Sequence, residues 1–136
     1  MERDRYDPRV IEPKWQRIWA ESGIYSVDLF RAHRPFYNLM EFPYPSAEAL
    51  HVGHVYTYSG ADTYGRYRRM QGDDVFEPVG FDAFGIHSEN HALRACRHPM
   101  ELTVENTERY RRQMQQLGAI FDWSHAVDTS RPDYYR

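Results

Sequence analysis

An aromatic-rich run between two prolines constrains the fold of this chain more than any other feature. Residues 36–42 read Phe-Tyr-Asn-Leu-Met-Glu-Phe and lie between Pro35 and Pro43. A short apolar run with such borders predicts a largely buried strand. Residues 52–70 then follow a helical pattern that ends at Gly72, and small residues within it would let that helix lie close to a sheet. The sequence therefore predicts a strand, a rigid proline-containing segment at residues 43–46, and then a helix.

Helical patterns also flank this unit. Asp7 and Pro8 form a cap and first turn for an N-terminal helix that Gly23 ends. We expect its two tryptophans, Trp15 and Trp19, to lie in the core together with the tyrosines. Further helices are predicted over residues 88–96, then from a cap at Thr103 to Gly118, and again from residue 132 onward.

The order of elements sets the fold class. Residues 74–79 predict a second strand, in which Pro78 points to an edge or a strand end, and residues 80–85 predict a turn. Strand, helix, strand and two helices in that order favour an α/β fold. We therefore predict a partial Rossmann-like parallel sheet with flanking helices.

Composition excludes several classes of protein. The 136 residues carry 17 basic and 20 acidic side chains, a formal charge of −3, and 41% of them are hydrophobic. No uninterrupted apolar stretch approaches the ~20 residues of a membrane span, and the charged first residues do not resemble a secretory signal. A single cysteine, Cys96, fits a reducing compartment. We expect a cytoplasmic protein without a membrane partner.

The most informative cluster, His51-Val52-Gly53-His54, lies between the first strand and its helix. If the helix opens near Val52, the two imidazoles share one face beside the unpaired N–H groups of the first turn. A helix N-terminus attracts anions, and ring N–H groups would direct that attraction at phosphate oxygens. Gly53 removes a side chain where a base or ribose could approach. The cluster predicts a nucleotide site in which a phosphate is attacked.

A second cluster, Gly-Phe-Asp-Ala-Phe-Gly at residues 80–85, follows the second predicted strand. In a parallel sheet both clusters would lie at carboxyl strand ends, where such sheets bind ligands, and Asp82 could there hold an ammonium group. The two glycines do not indicate a phosphate-binding P-loop, because Ile86 and His87 stand where that loop requires Lys and Ser or Thr.

Two further patterns were weighed. His87 and His91 are four residues apart, but Glu89 occupies the third place of that run, whereas the zinc-protease helix needs it second. We therefore assign no metal site. The arginines within residues 66–69 and 109–112 are interpreted as solvated helix faces, with contact to an RNA backbone as the alternative.

Several motifs, in order and spacing, resemble those of class I aminoacyl-tRNA synthetases, and among them the leucyl enzymes. They are Phe-Pro-Tyr-Pro-Ser at 42–46, Leu-His-Val-Gly-His at 50–54, Arg-Met-Gln-Gly at 69–72 and Gly-Phe-Asp-Ala-Phe-Gly at 80–85. Ser-Glu-Asn at 88–90, Phe-Asp-Trp at 121–123 and Pro-Asp-Tyr-Tyr at 132–135 extend the match over nearly the whole chain. Valyl and isoleucyl enzymes share the paired histidines but lack the Phe-Pro-Tyr-Pro-Ser and Asp-Ala-Phe-Gly strings.

The resemblance implies a Rossmann catalytic domain that condenses leucine with ATP, using Mg²⁺, and then esterifies tRNA(Leu). His51 and His54 would be the catalytic residues that contact the ATP phosphates. Gly53 would complete the ATP site by packing under the adenosine.

The resemblance also implies an amino-acid site. Asp82 would hold the leucine ammonium, and Phe42 and Tyr44 would form walls of the pocket. Glu41 departs from the leucyl pattern, which is apolar at this position. A carboxylate beside an apolar pocket is costly unless it is paired or points away.

The extent of the resemblance implies that residues 1–136 are the N-terminal part of a Rossmann catalytic domain. Residues 1–34 would form a helix and lead-in, and residues 35–136 the first half of the nucleotide-binding fold. The second ATP-binding loop of the family is rich in lysine, whereas Lys14 is the only lysine here, and the editing and anticodon-binding regions are also absent. We expect this part to be weakly active or inactive without the remainder of the synthetase chain.

Other functions remain open at this point. The chain could belong to another class I synthetase, valyl or isoleucyl. It could be a small nucleotidyltransferase, since such folds place a His-x-Gly-His motif at the same junction. It could also be a non-catalytic module that binds a nucleotide or RNA.

Overall fold

The computed structural model describes residues 6–46 and 49–135. Helices and short strands alternate along this part of the chain, in the order α1 (Pro8–Ser22), β1 (Pro35–Tyr37), α2 (Val52–Met70), β2 (Asp74–Phe76), β3 (Gly80–Phe81), α3 (Ile86–Ala95), α4 (Pro99–Gln116), β4 (Val127–Asp128) and α5 (Pro132–Tyr135). β1 pairs in parallel with β2, and β3 pairs in parallel with β4. The predicted α/β class with parallel strands is confirmed, although the strands are short.

The first helix has the predicted ends. The Asp7 side chain accepts a hydrogen bond from the Arg9 backbone N–H at 3.0 Å, and Gly23 ends the helix at φ 61°. The prediction that Trp15 and Trp19 of this helix lie in the core is wrong, because no side chain of α1 is buried and Trp15 is 45% exposed. α1 instead lies on the surface, where Gln16 donates to the Gln116 carbonyl at the end of α4.

Strand β1 is shorter than predicted. It covers Pro35–Tyr37, whereas the aromatic run continues to Phe42. The last backbone bond of this pair runs from the Asn38 N–H to the Phe76 carbonyl, since β2 also ends early. Pro78 has no N–H to donate, so the ladder cannot extend through it.

The predicted turn over residues 80–85 begins as a strand. Gly80 and Phe81 pair with Val127 and Asp128, and the open loop starts only at Asp82. The predicted helix cap at Thr103 is also wrong, because α4 begins at Pro99 and Thr103 is buried inside it. The Nδ1 atom of His98 caps that helix by accepting from the Met100 N–H at 3.2 Å.

The buried core joins the loops that follow the strands to the faces of α2 and α4. Its members are buried apolar or aromatic side chains. They are Met40, Tyr58, Val79, Phe81, Tyr110, Met114 and Phe121. Tyr58 and Tyr110 are buried as predicted, but the prediction is wrong for most of the other tyrosines, which are exposed, such as Tyr56 at 84%.

Two arginines of α2 are structural and do not form the solvated face that the sequence predicts. Arg66 donates to Asp62 at 2.7 Å and to the Gly118 carbonyl at 2.6 Å. Arg69 donates to the Ile24 carbonyl at 2.8 Å and to a carbonyl of β2 at 3.1 Å. Through these hydrogen bonds, α2 holds the segment that follows α1 and the turn at the end of α4.

Gly65 marks the closest approach of α2 to the strands. A Cβ atom there would lie 2.5 Å from Oε2 of Glu77 and 2.9 Å from Nδ2 of Asn38. We expect Gly65→Ala to lower the free energy of unfolding by about 1–3 kcal/mol, because overpacking displaces a buried hydrogen-bonded pair. Gly60→Ala is the matched control, since nothing lies within 4 Å of its Cβ position and alanine favours a helix. Urea unfolding of both variants checks this, and equal stabilities would contradict it.

Glu77 is a buried acid beneath α2. It is 1% exposed, its Oε2 accepts from Asn38 Nδ2 at 2.6 Å, and its Oε1 has no hydrogen-bond partner among the described residues. Burial raises the pKa of Glu77 to about 7; the Asn38 hydrogen bond opposes this shift and the negative charge of Asp62 adds to it. The folded state therefore holds the Glu77 proton more tightly than the unfolded chain does.

This proton makes stability depend on pH. The contribution of Glu77 to the free energy of unfolding is fully present below its ordinary pKa of 4.5. This contribution is lost as pH rises through about 7. The loss is at most about 3 kcal/mol. We expect Glu77→Gln, which keeps the shape and cannot ionise, to remove this slope in urea unfolding measured between pH 4 and 8. An unchanged slope in the variant would show that another group is responsible.

Candidate nucleotide site

The paired histidines cap the N-terminus of α2. The helix opens at Val52, as predicted, with His51 as its N-cap. The Nδ1 atom of His51 accepts from the Gly53 N–H at 3.1 Å, and the Nδ1 atom of His54 accepts from the His51 N–H at 3.2 Å. The two rings therefore form a reciprocal capping box, a role usually filled by Ser or Thr with Glu or Gln.

This capping fixes the tautomer of both rings. A nitrogen that accepts a hydrogen bond carries no proton, so the single proton of each neutral imidazole lies on Nε2. The rings stack with their centroids 3.8 Å apart and 23° between their planes. Two neighbouring Nε2–H donors beside a helix N-terminus can bind the oxygens of an anion such as phosphate.

Packing fixes the orientation of His54. Its ring stacks on Tyr58 at 5.7 Å and meets the edge of Tyr110 at 6.1 Å. Partial burial lowers the pKa of His54, and the neighbouring His51 lowers it further, while Glu41 opposes both. The neutral ring, which the cap requires, is therefore favoured near pH 7.

Gly53 is required by the His51 ring. A Cβ atom at Gly53 would lie 2.9 Å from Cε1 and 3.0 Å from Nδ1 of His51, inside normal contact distance. The glycine thus allows the imidazole to fold over the first turn.

A backbone hydrogen bond joins the proline segment to the predicted ammonium site. The Asp82 N–H donates to the Pro43 carbonyl at 3.0 Å. The Phe42 ring lies against Gly80, where a Cβ would come within 2.7 Å of it. The structure therefore brings Phe42 and Asp82, two of the predicted amino-acid-binding residues, to one place.

The other side chains of this segment face outward. Tyr44 is 54% exposed, so its side chain does not fill a buried pocket. Glu41 is also exposed, so its departure from the apolar pattern places no carboxylate in the core. The buried Pro43 and Pro45 alternate with these exposed residues and anchor the segment.

Three polar residues of α4 hold the segment from the other side, and they are not among the site residues predicted from the sequence. Asn106 donates to the Pro45 carbonyl at 3.1 Å, and the Tyr110 hydroxyl donates to the Ala49 carbonyl at 3.1 Å. The Leu50 N–H donates to Oε1 of Gln113 at 2.9 Å. Their spacing of four and three residues places them on one helical face, a pattern that the sequence does show.

No residues suited to a metal are gathered in the part of the chain that the structure describes. There, no group of three or more His, Cys, Asp or Glu side chains is placed to hold an ion. Mg²⁺ prefers oxygen ligands, and the two imidazoles present N–H donors in place of lone pairs. The two histidines are therefore not Mg²⁺ ligands in this tautomer. Within residues 6–46 and 49–135, no helix is long and apolar enough to cross a membrane.

Comparison with known proteins defines the family. The sequence profile of the tRNA synthetases class I (M) matches residues 39–132, a span that contains both clusters. The chain belongs to this family of class I tRNA synthetases.

Its relatives within the family include leucine–tRNA ligases. That of Rubrobacter xylanophilus is 48% identical over 131 residues, which cover 96% of this chain. That of Symbiobacterium thermophilum is 46% identical over 136 residues, the whole chain. The chain spans 16% of the length of each of these relatives.

Two solved structures share the fold. The agnB2 LeuRS of Agrobacterium radiobacter K84, solved in a ternary complex with tRNA and LeuAMS, superposes with a TM-score of 0.91 at 37% identity. The match covers 96% of this chain and 17% of that one. The methionyl-tRNA synthetase of Mycobacterium tuberculosis, in complex with methionyl-adenylate, gives 0.63 at 29% identity, over 74% of this chain and 19% of that one.

Proposed function

We propose that this chain supplies the ATP- and leucine-binding part of a leucine–tRNA ligase. The observation that carries the proposal is the histidine pair, whose Nδ1 atoms are occupied by the backbone and whose Nε2–H groups are left as donors at the start of α2. Similarity to leucine–tRNA ligases over nearly the whole chain supports leucine as the amino acid.

The proposed reaction joins leucine to AMP. A leucine carboxylate oxygen attacks the α-phosphorus of ATP, the bond from that phosphorus to the bridging oxygen breaks, and pyrophosphate leaves. Little covalent chemistry falls to the protein in such a step, so it acts mainly by positioning and by stabilising charge. His51 and His54 donate to the phosphate oxygens, and the Gly53 backbone is assigned to the adenosine side of the ATP site.

The amino-acid side of the site is assigned to three residues. Asp82 accepts the leucine ammonium, Phe42 forms an inner wall of the pocket and Tyr44 borders it. The bond from the Asp82 N–H to the Pro43 carbonyl supports this assignment, because it ties the ammonium site to the segment that leads to the histidines.

The same proposal includes the transfer of leucine to tRNA, the source of Mg²⁺ and the location of the protein. Leucyl-adenylate passes its leucine to tRNA(Leu), a step that we assign to the enzyme of which this chain is the N-terminal catalytic part. Mg²⁺ enters with the ATP phosphates, and no residue of this chain is assigned to it. A cytoplasmic location fits both a role in translation and the lone cysteine, Cys96.

Leucine-dependent exchange of pyrophosphate into ATP tests the proposal. It is measured for the 136-residue chain and for the protein expressed with whatever coding sequence continues past Arg136. We expect exchange with leucine in the longer protein, and little or none in the 136-residue chain.

Other outcomes identify the alternatives. Exchange with valine or isoleucine in place of leucine would contradict the leucine assignment. Transfer of the nucleotidyl group to an acceptor other than an amino acid would favour a nucleotidyltransferase. Affinity for ATP or tRNA without turnover in either protein would favour a binding module.

A further inference from the structure

The pairing of β3 with β4 brings a second residue to the predicted ammonium site. Phe81 pairs with Asp128, so the residues that follow them, Asp82 and Thr129, lie side by side at the ends of two parallel strands. The Thr129 N–H donates to the Phe81 carbonyl at 3.1 Å, which fixes the Thr129 backbone against the Asp82 loop.

The Thr129 hydroxyl contacts two adjacent residues of that loop, Asp82 and Ala83. Its Oγ1 accepts from the Ala83 N–H at 2.8 Å and donates to Oδ1 of Asp82 at 3.5 Å, a long hydrogen bond. A hydroxyl has one proton to donate. Because Ala83 approaches as a donor, that proton is free to point at the carboxylate. Among the described residues, Oδ2 of Asp82 has no hydrogen-bond partner.

We propose that Thr129 is a positioning residue for the amino-acid substrate: it orients the Asp82 carboxylate so that the second oxygen meets the substrate ammonium. This inference rests on the proposed function of Asp82. It assigns a role to the residue that follows β4: Thr129 lies 47 residues beyond Asp82 in the sequence and is brought to it by the pairing of β4 with β3.

Thr129→Val tests this role, because valine keeps the shape and removes the hydroxyl. Thr129→Ser restores the hydroxyl, and Ser130→Ala is the matched control. Ser130 lies in the same loop, but its hydroxyl donates to Asp128 at 2.6 Å and not to Asp82. Leucine-dependent pyrophosphate exchange is measured in the protein expressed with its continuing sequence. Inhibition by leucinol, which has the ammonium and lacks the carboxylate, is measured alongside it.

We expect Thr129→Val to raise the KM for leucine and the Ki of leucinol by about tenfold each. The KM for ATP and kcat should stay within about twofold, since a general loss of structure would move all four values together. Thr129→Ser should restore both leucine parameters, and Ser130→Ala should leave them unchanged.

Contrary results separate this inference from the proposed function. Normal exchange by the parent protein, with Thr129→Val no different from Ser130→Ala, would overturn the role of Thr129 alone. So would a serine variant that fails to restore leucine binding, or an equal rise in the KM for ATP. No leucine-dependent exchange in the parent protein would overturn the proposed function and this inference with it.

Discussion

Replacing His51 with Asn is expected to slow leucine-dependent pyrophosphate exchange by about a hundred- to a thousandfold with little effect on stability. Asn is a preferred N-cap, so its side-chain oxygen can accept from the Gly53 N–H as Nδ1 does now. It has no group that reaches where Nε2–H lies. Loss of one preorganised donor to transition-state oxygens costs about that much in rate.

His54→Gln extends the test to the other ring, since Gln is a regular partner at the third position of a capping box. Exchange kinetics and thermal unfolding are measured on the same samples. If the rate falls only in proportion to a fall in melting temperature, the histidines serve only as structural caps of α2. That result would contradict a role in phosphate binding. His51→Ala provides the comparison: it should lose the rate and also about 1 kcal/mol of stability.

Replacing Asp82 with Asn should raise the KM for leucine by about a hundredfold or more. The amide matches the carboxylate in shape but carries no charge to pair with the ammonium, and loss of one partner of a desolvated ion pair typically costs 2–5 kcal/mol. Steady-state exchange with leucine and ATP varied in turn measures the effect, and the KM for ATP should change little.

Asp133→Asn is the control for this change. The Asp133 side chain is 76% exposed and forms only a surface ion pair with Arg131, so the loss of its charge should leave the KM for leucine unchanged. An Asp82→Asn variant with the same KM for leucine as this control would remove Asp82 from the amino-acid site.

Local signals explain which parts of the fold the sequence predicts. The helix α2 begins at Val52 and ends at Met70, as its periodicity and flanking glycine indicate, because a helix makes its hydrogen bonds within one segment. The first helix has the predicted Asp7 and Gly23 ends for the same reason.

Non-local pairing explains what the sequence does not predict. β3 and β4 have two residues each, too few for any periodicity, and exist only because distant segments meet. Thr129 therefore could not be connected to Asp82 from the sequence. The cap at His98 was missed because histidine is not among the usual capping residues, whereas Thr103, which is, lies buried inside α4.

The candidate site also combines features that the sequence predicts with features that it does not predict. The shared face of His51 and His54 follows from their spacing and the start of α2, so the sequence predicts it. The use of both Nδ1 atoms by the backbone depends on side-chain orientation, which spacing leaves open. The sequence therefore predicts donors beside a helix terminus, but not which ring nitrogen donates.

The central claim is that two neutral imidazoles present Nε2–H groups to a nucleotide phosphate. Nitrogen NMR of protein with ¹⁵N-labelled histidine, with and without ATP, tests it most directly, and His51→Asn and His54→Gln assign the signals. We expect Nε2–H tautomers for both rings at pH 7, with Nε2 resonances that shift when ATP is added and not when adenosine is added. A proton on Nδ1 of either ring, or Nε2 resonances that saturating ATP leaves unmoved, would contradict it.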